Sequence, residues 1–75
     1  MIMWKLKDYL DEQGITPYKL AQQTGEKLSQ NAVYRLAGPD VSRFDRESLD
    51  VLIEALRELT GKAVKVSDLL EYQEG

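Results

Sequence analysis

The side chains best suited to selective chemistry sit close together at Gln30, Asn31, Tyr34 and Arg35. A Gln or Asn carboxamide pairs bidentately with adenine N6/N7, and an Arg guanidinium with guanine O6/N7. Each good contact of this kind is worth about 1–3 kcal/mol of discrimination against the wrong base. Taken by themselves, the same residues also suit an ordinary solvated helix face, so the neighbouring pattern has to decide. Catalytic chemistry has a poorer inventory. His and Cys are both absent, which removes the commonest nucleophile–base pairs and zinc sites. Asp8, Asp11 and Glu12, like Glu54 and Glu58, fall at helical spacing on exposed faces and read as solvated carboxylates. No glycine-rich phosphate loop is visible; Gly14, Gly25, Gly38 and Gly61 are spread along the chain as helix terminators. A non-enzyme without metal or cofactor is the expectation.

Two short helices must position the polar face. Thr16-Pro17 starts the first of them, because Thr can cap and Pro at the first helical position loses no needed hydrogen bond. Leu20, Ala21 and Thr24 then face inward, and Gly25 stops the helix. Ser29 caps the next helix, Ala32, Val33 and Leu36 follow at helical spacing, and Gly38-Pro39 ends it. Two helices about a tight turn are the sequence form of a helix-turn-helix. Ala21 is small where the axes cross. Gly25 is expected at positive φ, where a Cβ costs roughly 1 kcal/mol or more. Val33 and Leu36 point back under the first helix of the pair and leave Gln30, Asn31, Tyr34 and Arg35 outside.

The flanks are predicted to be helical as well. Ile2, Leu6, Tyr9 and Leu10 form one helical face, closed by Gly14 in the left-handed position. Tyr9 is expected in the core. Trp4 falls on the polar side near Asp8 and Asp11, as a packing residue, a terminal clamp or a dimer contact. Asp45 caps a fourth helix with Leu49, Leu52, Ile53, Leu56 and Leu59, ending at Gly61. Ser67 is predicted to cap a fifth carrying Leu69, Leu70 and Tyr72, with Val66 as a hydrophobic staple. Ala63-Val64-Lys65-Val66 has strand character but no evident partner. The expected fold is all-α: about five short helices in one compact domain over residues 1–75.

Composition and charge bound the partners. The chain has 75 residues, 43% of them hydrophobic and 31% charged, as in a small globular domain. No apolar run approaches the length of a membrane span, and a cytoplasmic setting is compatible with the sequence. The net charge of −3 opposes nucleic-acid binding at first sight. It is polarised, however: residues 47–75 carry seven acidic and three basic groups, whereas 16–43 carry four basic and two acidic. Phosphate contact depends on the local field, although a chain this acidic should bind with a shallow salt slope.

Leu20-Ala21-Gln22-Gln23-Thr24-Gly25, followed by Ser29-Gln30-Asn31-Ala32-Val33-Tyr34-Arg35-Leu36 and Gly38, resembles the phage-repressor/Cro-like (xenobiotic-response-element type) helix-turn-helix family. Ser48-Leu49-Asp50-Val51-Leu52-Ile53-Glu54-Ala55-Leu56 is similar to its fourth helix and Val66-Ser67-Asp68-Leu69-Leu70 to its fifth, so the resemblance covers roughly residues 4–72. It implies a lambda-repressor-like fold and a cytoplasmic transcriptional regulator of repressor type. The helix after Ser29 would read the major groove of double-stranded DNA. Carried over by position, Gln30, Asn31 and Arg35, with Tyr34 beside them, match base contacts. Thr16, Pro17, Ser29 and Arg43 match places near the DNA backbone, and Lys19 and Lys27 join them as candidate phosphate contacts. The segment Glu26-Lys27-Leu28 lengthens the family's usual turn, which either preserves the helix angle or re-aims it. Pro17 replaces the polar residue often found there. A homodimer across two half-sites is the expected route to useful affinity. The rival reading is a protein-interaction module, such as the antitoxin half of a toxin–antitoxin pair, and the low pI favours it.

Overall fold

Side-chain oxygens of Thr16, Ser29 and Asp45 open three of the helices. Each sits in extended backbone and accepts a hydrogen bond from the amide three residues on: Lys19 at 3.1 Å, Ala32 at 3.1 Å and Ser48 at 2.8 Å. Each bond satisfies one of the free amides that begin any α-helix. The computed structural model describes residues 1–38, 41 and 43–74, so Pro39 of the predicted third-helix terminator lies outside it. The elements in order are β1 (Ile2–Trp4), α1 (Leu6–Gln13), α2 (Pro17–Thr24), a 3-10 turn (Gly25–Lys27), α3 (Gln30–Leu36), α4 (Arg46–Thr60), α5 (Val66–Leu69) and β2 (Leu70–Tyr72). Gly14 and Gly61 end α1 and α4 in the left-handed conformation.

One core joins these elements. Leu6 and Leu10 of α1, Leu20 of α2, Val33 and Leu36 of α3, Leu52 and Leu56 of α4, Val64 and Leu69 are essentially without solvent contact. Each such side chain contributes at most about 1.5–3 kcal/mol by leaving water. Tyr9, Ala21, Leu28, Leu49, Ile53 and Leu59 pack around this cluster as half-buried residues. Thr24 is the buried polar residue among those described, and its hydroxyl donates to the Ala21 carbonyl at 2.9 Å.

The all-α expectation is corrected at both ends of the chain. Five α-helices are present, but Ile2–Trp4 and Leu70–Tyr72 pair as a small antiparallel sheet, with Ile2 opposite Tyr72 and Trp4 opposite Leu70. Met1 and Gln73 extend the ladder through backbone bonds in both directions, at 2.7 and 2.8 Å, and the Lys5 amide donates to Leu69 O at 2.7 Å. Ile2 therefore belongs to no helical face; it is 66% exposed, and α1 begins only at Leu6. The predicted fifth helix is likewise shorter. Lys65, not Ser67, precedes its first residue, and the Asp68 carboxylate reaches back to accept the Lys65 amide at 2.8 Å. Leu70 and Tyr72 leave the helix for the strand, so Tyr72, expected either to cover the helix's stripe or to belong to an interface, stands 71% exposed and does not cover the stripe. Val66, predicted as a staple, is 49% exposed. The Ala63–Val66 stretch forms no strand.

Trp4 ties the sheet to the helices. Its indole N–H donates to Leu36 O at 2.6 Å, and its ring stacks on Phe44 with centroids 4.7 Å apart. Of the roles open to it from sequence, the structure shows a clamp. Leu36 O is one of the carbonyls that the end of a helix leaves unpaired, so a strand at the N-terminus completes the C-terminal end of α3.

Candidate functional site

Helix α3 is two-sided. Val33 and Leu36 are fully buried, whereas Gln30, Asn31, Tyr34 and Arg35 are exposed. At roughly 100° per residue these four span about 140° of the helix surface. The buried side rests on α2, which precedes it across the turn at Gly25. That turn has φ 59° and ψ −126°, a conformation open to glycine and strained for residues with a Cβ. The connection is compact: Gly25–Lys27 coils as a 3-10 turn, and Leu28, half-buried in extended backbone, packs on the core before Ser29 caps α3.

Two matching couples line the exposed surface. The Gln30 Nε2 donates to the Tyr34 hydroxyl at 2.9 Å, and on α2 the Gln22 Nε2 donates to the Tyr18 hydroxyl at 3.2 Å. Between them lies an open depression of about 210 Å³, lined by Tyr18, Ala21, Gln22, Gly25 and Gln30. Sequence reasoning passed over Tyr18 and Gln22. Their signal was present, because Tyr18 and Gln22 repeat in reverse the four-residue spacing of Gln30 and Tyr34, but only the crossing of α2 and α3 brings the couples side by side.

The cations take up flanking positions. The Arg35 guanidinium donates to the Arg43 carbonyl at 3.2 Å, next to an open notch formed with Phe44, Asp45 and Ser48. Hydrogen bonds from Ser48, first its hydroxyl and then its amide, hold the Asp45 carboxyl below its ordinary value, and the Arg35 charge adds to this. Arg43 is exposed at the rim of the notch. Lys19 is exposed and, by helical spacing, about 60° further round α2 than Gln22. Thr16 and Ser29 spend their oxygens on capping, and Pro17 occupies the first position of α2, half-buried. Lys27 is turned the other way: its ammonium lies 3.8 Å from the Glu54 carboxylate of α4. Gln23 of α2 similarly hydrogen-bonds Glu58. The acidic side of α4 thus faces the end of α2 and the 3-10 turn, leaving the Tyr18–Tyr34 surface to uncharged groups.

Among the described residues, no group of three His, Cys, Asp or Glu side chains is arranged to hold a metal ion, and no helix is long and apolar enough to cross a membrane. No buried side-chain nitrogen or oxygen among them lacks a hydrogen-bond partner. No family model, curated protein or solved structure matches the chain.

Proposed function

We propose that the chain is a sequence-specific double-stranded DNA-binding regulator of helix-turn-helix type, with α3 as the helix entering the major groove. One observation carries the reading. A short helix buries Val33 and Leu36 in the core it shares with α2 and leaves Gln30, Asn31, Tyr34 and Arg35 exposed. Carboxamides on a free convex helix face are the groups that read base edges. Lys19 on one flank, and Arg35 with Arg43 on the other, suit phosphates, which fix orientation without reading sequence. In this reading Arg35 reaches a guanine edge only by releasing the Arg43 carbonyl, and Lys27 reaches a phosphate only by leaving Glu54. Thr16, Pro17 and Ser29 act through the placement of helix ends. A single domain of this size covers little DNA, so two copies on half-sites about 34 Å apart are expected.

Selection of bound sequences from a random duplex library at low salt tests this directly. Recovery of a shared sequence supports the reading, and retention of no duplex at about 50 mM salt, where counterion release helps most, overturns it. The acidic α4, whose Glu54 and Glu58 engage Lys27 and Gln23, favours one alternative: a protein-interaction module of antitoxin type. A stable complex with a basic protein, formed by a chain that retains no DNA, would establish that instead.

A further inference from the structure

Resting on the DNA-binding reading, we propose that the surface shared by α2 and α3 selects adenine–thymine pairs over guanine–cytosine pairs. Gln30 and Gln22 read adenine, and the rings of Tyr34 and Tyr18 lie against thymine methyl groups. In the major groove guanine offers two acceptors and is met by Arg or Lys. Cytosine offers a donor and is met by a carboxylate. Adenine offers one donor and one acceptor and is met by a carboxamide, while thymine adds a methyl that favours apolar contact. The depression between the helices is lined by tyrosine, glutamine and small residues, with no charged side chain. Among the described residues, the lining where the helices meet therefore holds no reader of guanine or cytosine of the Arg, Lys or carboxylate kind. Of the flanking cations, Arg35 is engaged at the Arg43 carbonyl and Lys27 beside Glu54, and exposed Lys19 stands outside the depression's lining, on the flank of α2 suited to a phosphate.

The tyrosines sharpen the choice. A Gln carboxamide has two N–H donors and one carbonyl acceptor. In each couple one N–H is given to a phenol, Gln30 to Tyr34 at 2.9 Å and Gln22 to Tyr18 at 3.2 Å. What remains is one N–H and one C=O, the complement of adenine N7 and N6. An untethered carboxamide can instead present both N–H groups to guanine. Tyr18 and Tyr34, 52% and 41% exposed, leave ring surface free for a methyl group.

The test is selection from a duplex library with a randomised core at about 50 mM salt, run on the parent chain and on Gln30→Ala, Gln22→Ala and Tyr34→Phe. All three positions are exposed, and thermal unfolding checks that each variant keeps the parent fold. The parent is expected to enrich A·T pairs at adjacent positions, and Gln30→Ala to lose about tenfold discrimination at one of them. Tyr34→Phe, which keeps the ring but frees the second Gln30 N–H, is expected to admit guanine at that position. Enrichment of G·C at the positions released by Gln30→Ala would overturn the proposal, as would an A·T preference unchanged in both Gln variants. Duplex bound without any shared sequence overturns the selectivity and leaves DNA binding standing; no duplex bound overturns both.

Discussion

Asp45 shows how much one oxygen can organise. Its carboxylate caps α4, bonded to Ser48, and its ionised form is favoured by those bonds and by the nearby Arg35. Because the folded pKa lies below the ordinary value, the stabilisation is complete above the usual carboxylate range and disappears as pH falls through the lowered folded value. Asp45→Asn keeps a capping oxygen and removes the charge. Its melting temperature should lie below the parent's at about pH 7 and meet it at about pH 2; a gap that persists in acid would mean that the charge is not the cause. Trp4 acts by a single donor. Trp4→Phe keeps a ring against Phe44 but leaves the part-buried Leu36 carbonyl without its N–H. The expected loss is about 1–2 kcal/mol, read as a lower denaturant midpoint at unchanged slope. Caps such as Thr16 and Ser29 were legible in the sequence because capping is local, acting over three residues. The Trp4 bond was not, since its acceptor is 32 positions away.

Between α2 and α3 the connection decides where the polar face points. Gly25 has open space around a would-be Cβ, with no neighbouring atom within 4 Å, yet its φ of +59° strains any residue that carries one. Gly25→Ala should therefore cost about 1–3 kcal/mol through backbone strain rather than through a clash. A Gly25→Ala variant as stable as the parent would show that the turn relaxes easily. The two helices were legible as a pair because caps, glycines and the Leu20/Val33/Leu36 spacing agree locally. How Glu26–Leu28 sets the direction of α3 was not legible, as it depends on Leu28 finding room against the core. The strands were missed for a related reason. Each is three residues long, too short for a periodic signal, and their pairing joins the two ends of the chain.

At the scale of the whole molecule, charge is segregated. The carboxylates of α4 draw Lys27 and Gln23 to one side, while the uncharged couples and the Arg35–Arg43 rim occupy another. On the DNA-binding reading, Glu54→Gln with Glu58→Gln frees Lys27 and lowers the acidic field. Affinity for duplex should then rise about three- to tenfold for every sequence alike, with a steeper salt dependence and unchanged base preference. A gain confined to one sequence, or none, would show that α4 does not oppose docking. The amino-acid sequence by itself determined α2, α3 and α4, with their caps at Thr16, Ser29 and Asp45 and their inward stripes, since these follow from propensity, hydrogen bonding and hydrophobic spacing over a few residues. Tertiary structure alone decided that the ends pair as a sheet, that Trp4 closes α3, that Lys27 faces an acid, and that two Gln–Tyr couples stand side by side. Those outcomes depend on contacts between segments distant in the chain, where the free energy comes from how surfaces fit rather than from which residues are neighbours.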